Sequence, residues 1–517
     1  MIRDLFSPYL TMYTQIGDLD YLPDTTVVVI GGMSFHGAMI AEYLHKKDYK
    51  VILLEDSLNI APVPLKWDRW SQLTVDKTFF DFSDEAKLKM SLLGAATVLY
   101  VPTGLIDMET MTNDPIKQYH LGSLTLAHFQ KLLLLISKVP SIDQVILLST
   151  VDKVLNSNLV HKTWLSTLEQ LYIHSYHSNV LKTNAALIKV NGVFGPWKET
   201  DKSSNNCWYI ESVAHLVRNI TDTFSPGFVT YDFTTECQKD KEGGSTITTS
   251  WNESYTRSLK KKRDVIAGAV LIFKETKAYW PSHVHFNDHK YFRTFLISAM
   301  KSAPEADILI IHNTLSDDVV EKLLVACPSC QFKHEDPVNM RISHNQRLYL
   351  LYDYLLNNPD IDYLVISDIC DVSFFADPFQ VMKEIGDYIY TGYDVPFYSD
   401  KMETLPWLRR MLTTCFPNLK YAEKNEILNL YGILNSGTLG GSRHILLSLL
   451  SRMILYLDIA SIYGVCDMLT ANVVLHLQQY DHVYPGYPFS GSFLTGIAGQ
   501  QGVAIWHKRG GDAIIYF

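Results

Sequence analysis

Basic charge is scarce in this chain of 517 residues: 45 Lys and Arg face 55 Asp and Glu, a formal net charge of -10. That balance excludes nucleic acid as the main partner, because a phosphate-tracking surface needs clustered Lys and Arg. The one short basic run, Lys260-Lys261-Lys262-Arg263, reads as the flank of a domain. Cysteine is sparse as well, and seven in this length, an odd number, argue against a disulfide-stapled architecture. Cys327-Pro-Ser-Cys330 is the single close pair, has no second pair at zinc-site spacing, and reads as ordinary loop cysteines. Long apolar runs are missing too. Lys131–Ser137 falls far short of the ~20 residues a membrane helix needs. Met1–Asp20 is polar, broken by Pro8 and Gly17, and carries no secretory apolar core. These absences predict a soluble cytoplasmic protein with no membrane span. Asn219-Ile-Thr221 and Asn252-Glu-Ser254 match the glycosylation pattern and read as chance.

What the chain does have is apolar content. It is 47% hydrophobic and 12% aromatic, which excludes a mainly disordered polymer. At roughly 100–200 residues per domain, the length asks for two or three domains. A seam is visible where the apolar periodicity lapses, and Gln238–Ser250 is polar and rich in Gly, Ser and Thr. The expected organisation is a first domain over 1–225, a linker over 226–263 and a second domain over 264–517.

Both domains read as alternating strands and helices, hence α/β. In the first, Thr26–Ile30 is a continuous β-branched run, as expected of a parallel strand buried on both faces. A helix over Ala38–His45 and strands over Lys50–Leu54, Thr97–Val101 and Gln144–Leu148 follow, with a helix through Ser123–Ser137. This spacing predicts a Rossmann-like, doubly wound parallel sheet. The turn after the first strand is Gly31-Gly-Met-Ser-Phe-His-Gly37, and Glu55-Asp56 closes the second strand. Gly31, Gly32 and Gly37 would let the backbone approach a pyrophosphate at a helix N-terminus, and Glu55 would bind a ribose hydroxyl of NAD(P).

Here the chain resembles the extended short-chain dehydrogenase/reductases, the NAD-dependent nucleotide-sugar epimerase/dehydratase group. Val145–Thr150 looks like the family's serine/threonine strand, Ala186–Pro196 like its strand running into Asn-x-x-Gly-Pro, and Leu168-Glu169 like its Ala-Glu. The resemblance implies a catalytic tyrosine at His161 and its lysine at Leu165, and neither is present. Leucine cannot lower a phenol's pKa. Ser34 also replaces the central glycine of the turn. The expectation is a degenerate domain in which NAD(P) binding is doubtful.

In the second half, the apolar strand Tyr363–Ser367 delivers Asp368 and Asp371 at its C-terminal end, the edge at which open α/β sheets bind ligands. Two carboxylates there suit Mg²⁺ or Mn²⁺, although acids also close strands, and Asp377-Pro378 reads as a plain helix start. Asp368–Phe379 resembles the metal motif of GT-A-type glycosyltransferases, the nucleotide-diphospho-sugar transferase fold with its mixed sheet. Leu434–Gly441 resembles that family's Asn-x-Gly-x-x-Gly-Gly stretch, Cys466–Asn472 its Asp-(Gln)-x-x-x-Asn helix start with Met468 for the glutamine, and Ile505–Lys508 its late histidine.

The resemblance implies roles for these residues. Asp368, Asp371 and His507 would hold the metal, His507 being otherwise an ordinary histidine near the chain end. Arg347 would meet the donor phosphate, or else be a solvated helix-face arginine. Asn435 and Gly437 would approach the sugar. Asp467 would orient or deprotonate the acceptor, or simply cap its helix. Aromatics between Tyr388 and Trp407 read as packing, and His283, His285 and His289 as a loop. The expected activity is a hexosyltransferase-like enzyme using a nucleotide-sugar donor and a glycan, protein or small-molecule acceptor. An NAD(P)-dependent epimerase/dehydratase and a non-catalytic scaffold are the alternatives. Donor, acceptor, stereochemical outcome and oligomeric state are not written in the sequence.

Overall fold

The computed structural model describes residues 26–56, 64–82, 84–102, 115–151, 159–191, 193–194, 208–223, 227–233, 262–271, 290–335, 343–369, 371–393, 406–417, 433–460, 464–477, 480–486, 488–490 and 504–507. The chain divides into two units, Met1–Thr256 and Arg257–Phe517.

The first unit runs β1 (Thr26–Ile30), α1 (Phe35–His45), β2 (Lys50–Asp56), α2 (Pro64–Gln72), β3 (Asp76–Phe80), α3 (Glu85–Leu92), β4 (Thr97–Tyr100), α4 (Pro115–Ile136), β5 (Gln144–Val151), α5 (Leu159–His177), β6 (Asn184–Asn191), the short pair β7 (Val193–Phe194) and β8 (Trp208–Tyr209), α6 (Ile210–Thr223) and β9 (Phe228–Phe233). Seven strands pair in the order β3-β2-β1-β4-β5-β6-β9, all parallel. Every residue of β1 is buried, as its unbroken β-branched run requires. The chain leaves β1 for β2 on one side and returns to β4 on the other, so the order reverses at the C-terminal ends of β1 and β4. The glycine turn lies there.

The observed seam differs from the expected linker. Phe228–Phe233 pairs with β6 from Ala185↔Phe228 to Val190↔Phe233, so the first unit keeps its edge strand past residue 225. Arg263 belongs to the second unit from its first strand. Its guanidinium pairs with Asp360 and Asp307, both at 2.6 Å, and Lys262 donates to the Pro359 carbonyl at 2.8 Å.

The second unit runs β10 (Arg263–Val270), α7 (Lys290–Ser302), β11 (Asp307–His312), α8 (Asp317–Ala326), β12 (Cys330–His334), α9 (Ser343–Asn357), β13 (Ile361–Ser367), β14 (Val372–Phe374), α10 (Pro378–Ile385), β15 (Ile389–Tyr393), α11 (Pro406–Cys415), β16 (Leu434–Ser442), α12 (Arg443–Ile459), α13 (Asp467–Leu477), β17 (Val483–Pro485), β18 (Phe489–Ser490) and β19 (Ile505–His507). Its main sheet is mixed, in the order β12-β11-β10-β13-β16-β15-β17. β10 to β13 are parallel, and β16 lies antiparallel to both β13 and β15. A three-stranded sheet, β14-β19-β18, stands beside it. The core packs Phe292, Phe295 and Leu296 of α7 with Ile266, Val365 and Ile369, and Tyr390 is buried among them. For Tyr388 and Tyr390 the packing expectation holds. Asp377 caps α10, accepting from the Phe379 N–H at 2.8 Å with Pro378 at the first helical position.

The cysteines depart from expectation. Cys327 is disulfide-bonded to Cys330, and Cys415 at the end of α11 to Cys466, 51 residues away. A count of seven could not reveal that folding brings α11 against the start of α13. His283, His285 and His289 lie outside the described residues.

Candidate active site

In the second unit the order of strands reverses between β10 and β13, and the loop leaving β13 begins with Asp368. Gly268 of β10 makes this loop possible: a Cβ there would come within 2.5 Å of Ile369 Cγ1. The Asp368 N–H donates to the Gly437 carbonyl at 2.7 Å, fixing the loop to the entry of β16. Thr438 pairs with Ser367 in register, so Gly437 stands just past the last paired residue.

Arg347 on α9 is the centre of the site. One terminal nitrogen donates to Asp368 Oδ1, while the other donates to Asp467 Oδ2 at 2.8 Å and to the Ser436 carbonyl at 3.3 Å. Its side chain is 9% exposed, that of Asp467 5%, and that of Asp368 33%. Burial opposes the charged guanidinium, but the carboxylates of Asp368 and Asp467 more than offset it and hold the group above the usual arginine range. Arg347 is therefore not a solvated helix-face arginine. It is a buried cation between two of the acids that the sequence singled out, Asp368 and Asp467. Asp467 opens α13 and also accepts from Ser436 Oγ at 3.3 Å.

Asn435 braces its own strand through one oxygen. Its Oδ1 accepts from the Gly437 N–H at 2.7 Å and the Thr438 N–H at 3.2 Å, so that oxygen shapes the β16 backbone. Asp371 precedes β14, and β19 sets the backbone of His507 opposite Val372, bringing His507 beside Asp371 in register. Among the described residues no three His, Cys, Asp or Glu side chains converge as a metal-holding group; the His507 side chain is not among those described.

Two buried asparagines position the site, the first of them outside every motif. Asn345, buried on α9, donates to the Gly464 carbonyl at 2.8 Å and accepts from the Cys466 N–H at 3.0 Å, gripping the residues just before Asp467. Asn472 accepts from the Leu434 N–H at 2.9 Å and donates to the Leu434 carbonyl at 2.8 Å, fixing the residue before Asn435. An Asn two residues before Arg347 was the only sequence signal for the first. The second is the final residue of the Asp-to-Asn stretch.

In the first unit, Ser34 caps α1. Its Oγ accepts from the Gly37 N–H at 2.9 Å and donates to the Gly31 carbonyl at 2.7 Å. Gly31 has φ of 101°, and a Cβ at Gly37 would strike Gly31 O at 2.1 Å. Glu55 is fully buried and turned into this turn, its Oε2 accepting from the Met33 N–H at 2.5 Å. Leu165, where the family lysine would stand, is buried. Glu169 links Ser149 Oγ and Lys189 Nζ, each at 2.5 Å, tying α5 to β5 and β6. His161 lies on α5, and nothing is described of its side chain. No described helix is long and apolar enough to cross a membrane.

No protein-family model matches the chain, and no curated protein matches it. Solved structures do, through its N-terminal half. The UDP-glucose 4-epimerase of Bifidobacterium longum, in complex with NAD⁺ and UDP, is 17% identical over 41% of this chain and 78% of that chain, with a TM-score of 0.32. The UDP-glucose 4-epimerase of Brucella ovis, in complex with NAD, is 13% identical over 45% and 81%, with a TM-score of 0.31. TunA, an NAD-dependent NDP-hexosamine 5,6-dehydratase of tunicamycin biosynthesis, is 14% identical over 40% and 75%, with a TM-score of 0.30. At such identities and scores the similarity bears on neither the activity nor the substrate of this chain.

Proposed function

We propose that the second unit is a metal-dependent glycosyltransferase of the GT-A kind, moving a sugar from a nucleotide-diphosphate donor to a hydroxyl of a glycan, protein or small molecule. The observation that carries this reading is Asp368. It stands at the C-terminal end of β13, where the strand order reverses, in one cluster with Arg347, Asp467 and the Ser436–Gly437 backbone. The mixed sheet is in keeping with it.

The oxygen donors of Asp368 and Asp371 suit a hard divalent cation, Mn²⁺ or Mg²⁺, with His507 as the further ligand. Such an ion supplies charge neutralisation for a departing diphosphate. The chain's own residues supply position. Arg347 holds the carboxylates of Asp368 and Asp467 in one fixed arrangement, so that little reorganisation accompanies donor binding. Gly437 leaves room beside Asp368 for the sugar. Asp467 orients the acceptor hydroxyl and takes its proton. In the transfer, the bond from the sugar's anomeric carbon to the diphosphate breaks, its electron pair leaves on the diphosphate, and the acceptor oxygen bonds to that carbon as its proton passes to the Asp467 carboxylate.

Turnover of UDP- and GDP-hexoses by the full chain, with and without Mn²⁺, tests this. Asp368→Ala combined with Asp371→Ala is expected to lower turnover by at least about 100-fold. An unchanged rate in that variant overturns the assignment. A wild-type protein inert with every donor favours the scaffold reading.

A further inference from the structure

We propose that the dinucleotide crevice of the first unit is closed from within: Glu55 and Arg69 clamp the glycine turn at Met33, and the unit binds neither NAD nor NADP. This inference is independent of glycosyl transfer in the second unit.

A diphosphate needs backbone N–H groups aimed outward at a helix N-terminus. In this turn those of Gly31, Gly32, Met33, Ser34, Gly37 and Ala38 are already committed. The N–H groups of Gly31 and Gly32 donate to the Leu54 carbonyl at 2.9 and 3.2 Å, and that of Ser34 donates to the Gly31 carbonyl at 3.3 Å. The Gly37 N–H is taken by Ser34 Oγ, and the Ala38 N–H by the Ser34 carbonyl at 3.1 Å. The donor at the apex, the Met33 N–H, is held by the Glu55 carboxylate at 2.5 Å. All residues from Gly31 to Ile40 are buried.

The acid expected to meet ribose is thereby spent. Glu55 is 0% exposed, with Oε2 on Met33 and Oε1 accepting from the Asp56 N–H at 3.1 Å. Arg69 completes the clamp from the other side, donating to the Met33 carbonyl at 3.3 Å. Lys66 lies one helical turn earlier on the same face of α2, and Lys66, Trp67, Arg69 and Trp70 are all buried. Thus α2 packs as an inward-facing cover, with both backbone groups of Met33 gripped by side chains. NAD(P) does not fit these residues, and no reaction step passes through it.

The test is dinucleotide titration of the full chain, read by calorimetry with NAD⁺ and NADP⁺ and by energy transfer from tryptophan to NADH. The expected result is no saturable binding. Saturable binding with a dissociation constant below roughly 0.1 mM overturns the proposal. A second measurement needs no ligand. Glu55→Gln and Arg69→Met, each with unchanged far-ultraviolet circular dichroism at low temperature, are expected to lower the melting midpoint of the first unit by several degrees. An unchanged midpoint in both variants shows that the turn does not depend on the clamp and also overturns the proposal.

Discussion

Arg347→Met puts the central cluster of the second unit to its severest test. Methionine keeps an unbranched stem in the buried slot and removes the charge and all donors. Two carboxylates then lose their partner. Asp467, with a side chain 5% exposed, is left as a nearly dry anion held by Ser436 alone among the contacts described above. Breaking a buried pair by removing one member costs about 3–5 kcal/mol. Asp368, a third exposed, is partly solvated and adds about 1 kcal/mol at most. The expected loss is therefore about 4 kcal/mol, a large share of the 5–15 kcal/mol typical of a domain. In a unit of this size that corresponds to a drop on the order of 10 °C in melting midpoint. Urea unfolding followed by hydrogen exchange, read on peptides spanning β16 and α13, assigns the loss to the second unit. The same substitution in an Asp467→Asn background should cost less, by about 1–3 kcal/mol, because no anion is stranded at the start of α13. A loss under about 1 kcal/mol, or strict additivity of the two changes, would refute the picture of a buried cation between two acids.

Two further outcomes follow from groups outside that cluster. His312, 5% exposed at the end of β11, has its pKa pushed below 6.5 by burial first and by neighbouring His334 second, with Asp317 opposing. Its unfolded form therefore binds more protons in the window below pH 6.5, and stability falls as pH drops through it. His312→Phe should flatten the acid limb of a melting-point-against-pH curve, and a limb of unaltered slope rules the histidine out. Cys415→Ser should destabilise by roughly 4 kcal/mol, the loop-closure value for a span of 51 residues. Under reductant, wild type and variant should share one urea midpoint, and a peptide map of wild type without reductant should contain the 415–466 cross-link.

Local pattern was the readable part of the chain. β1 and β13 are apolar runs because both faces of a central strand are covered, and composition alone records that. The start of α10 was equally legible, since Asp377-Pro378 satisfies orphan N–H groups by residues adjacent in sequence. β9 was missed although Phe-Val-Thr-Tyr-Asp-Phe is rich in strand formers, because the Gly/Ser/Thr-rich stretch behind it suggested a linker. The cysteine count pointed the wrong way for a related reason, as Cys415 and Cys466 are neighbours only after folding.

The sequence by itself determined two α/β units, the strands that carry their candidate sites, and the residues standing at those strand ends. Periodicity and turn chemistry encode these because burial and capping act over a few residues. Only the tertiary structure decided what the charged side chains do. It took Arg347 out of solvent and set it between Asp368, 21 positions away, and Asp467, 120 positions away. It also set the Glu55 carboxylate on the Met33 N–H, 22 positions before it. A buried charge must find its counter-charge wherever the fold places one, and no local pattern specifies where that is.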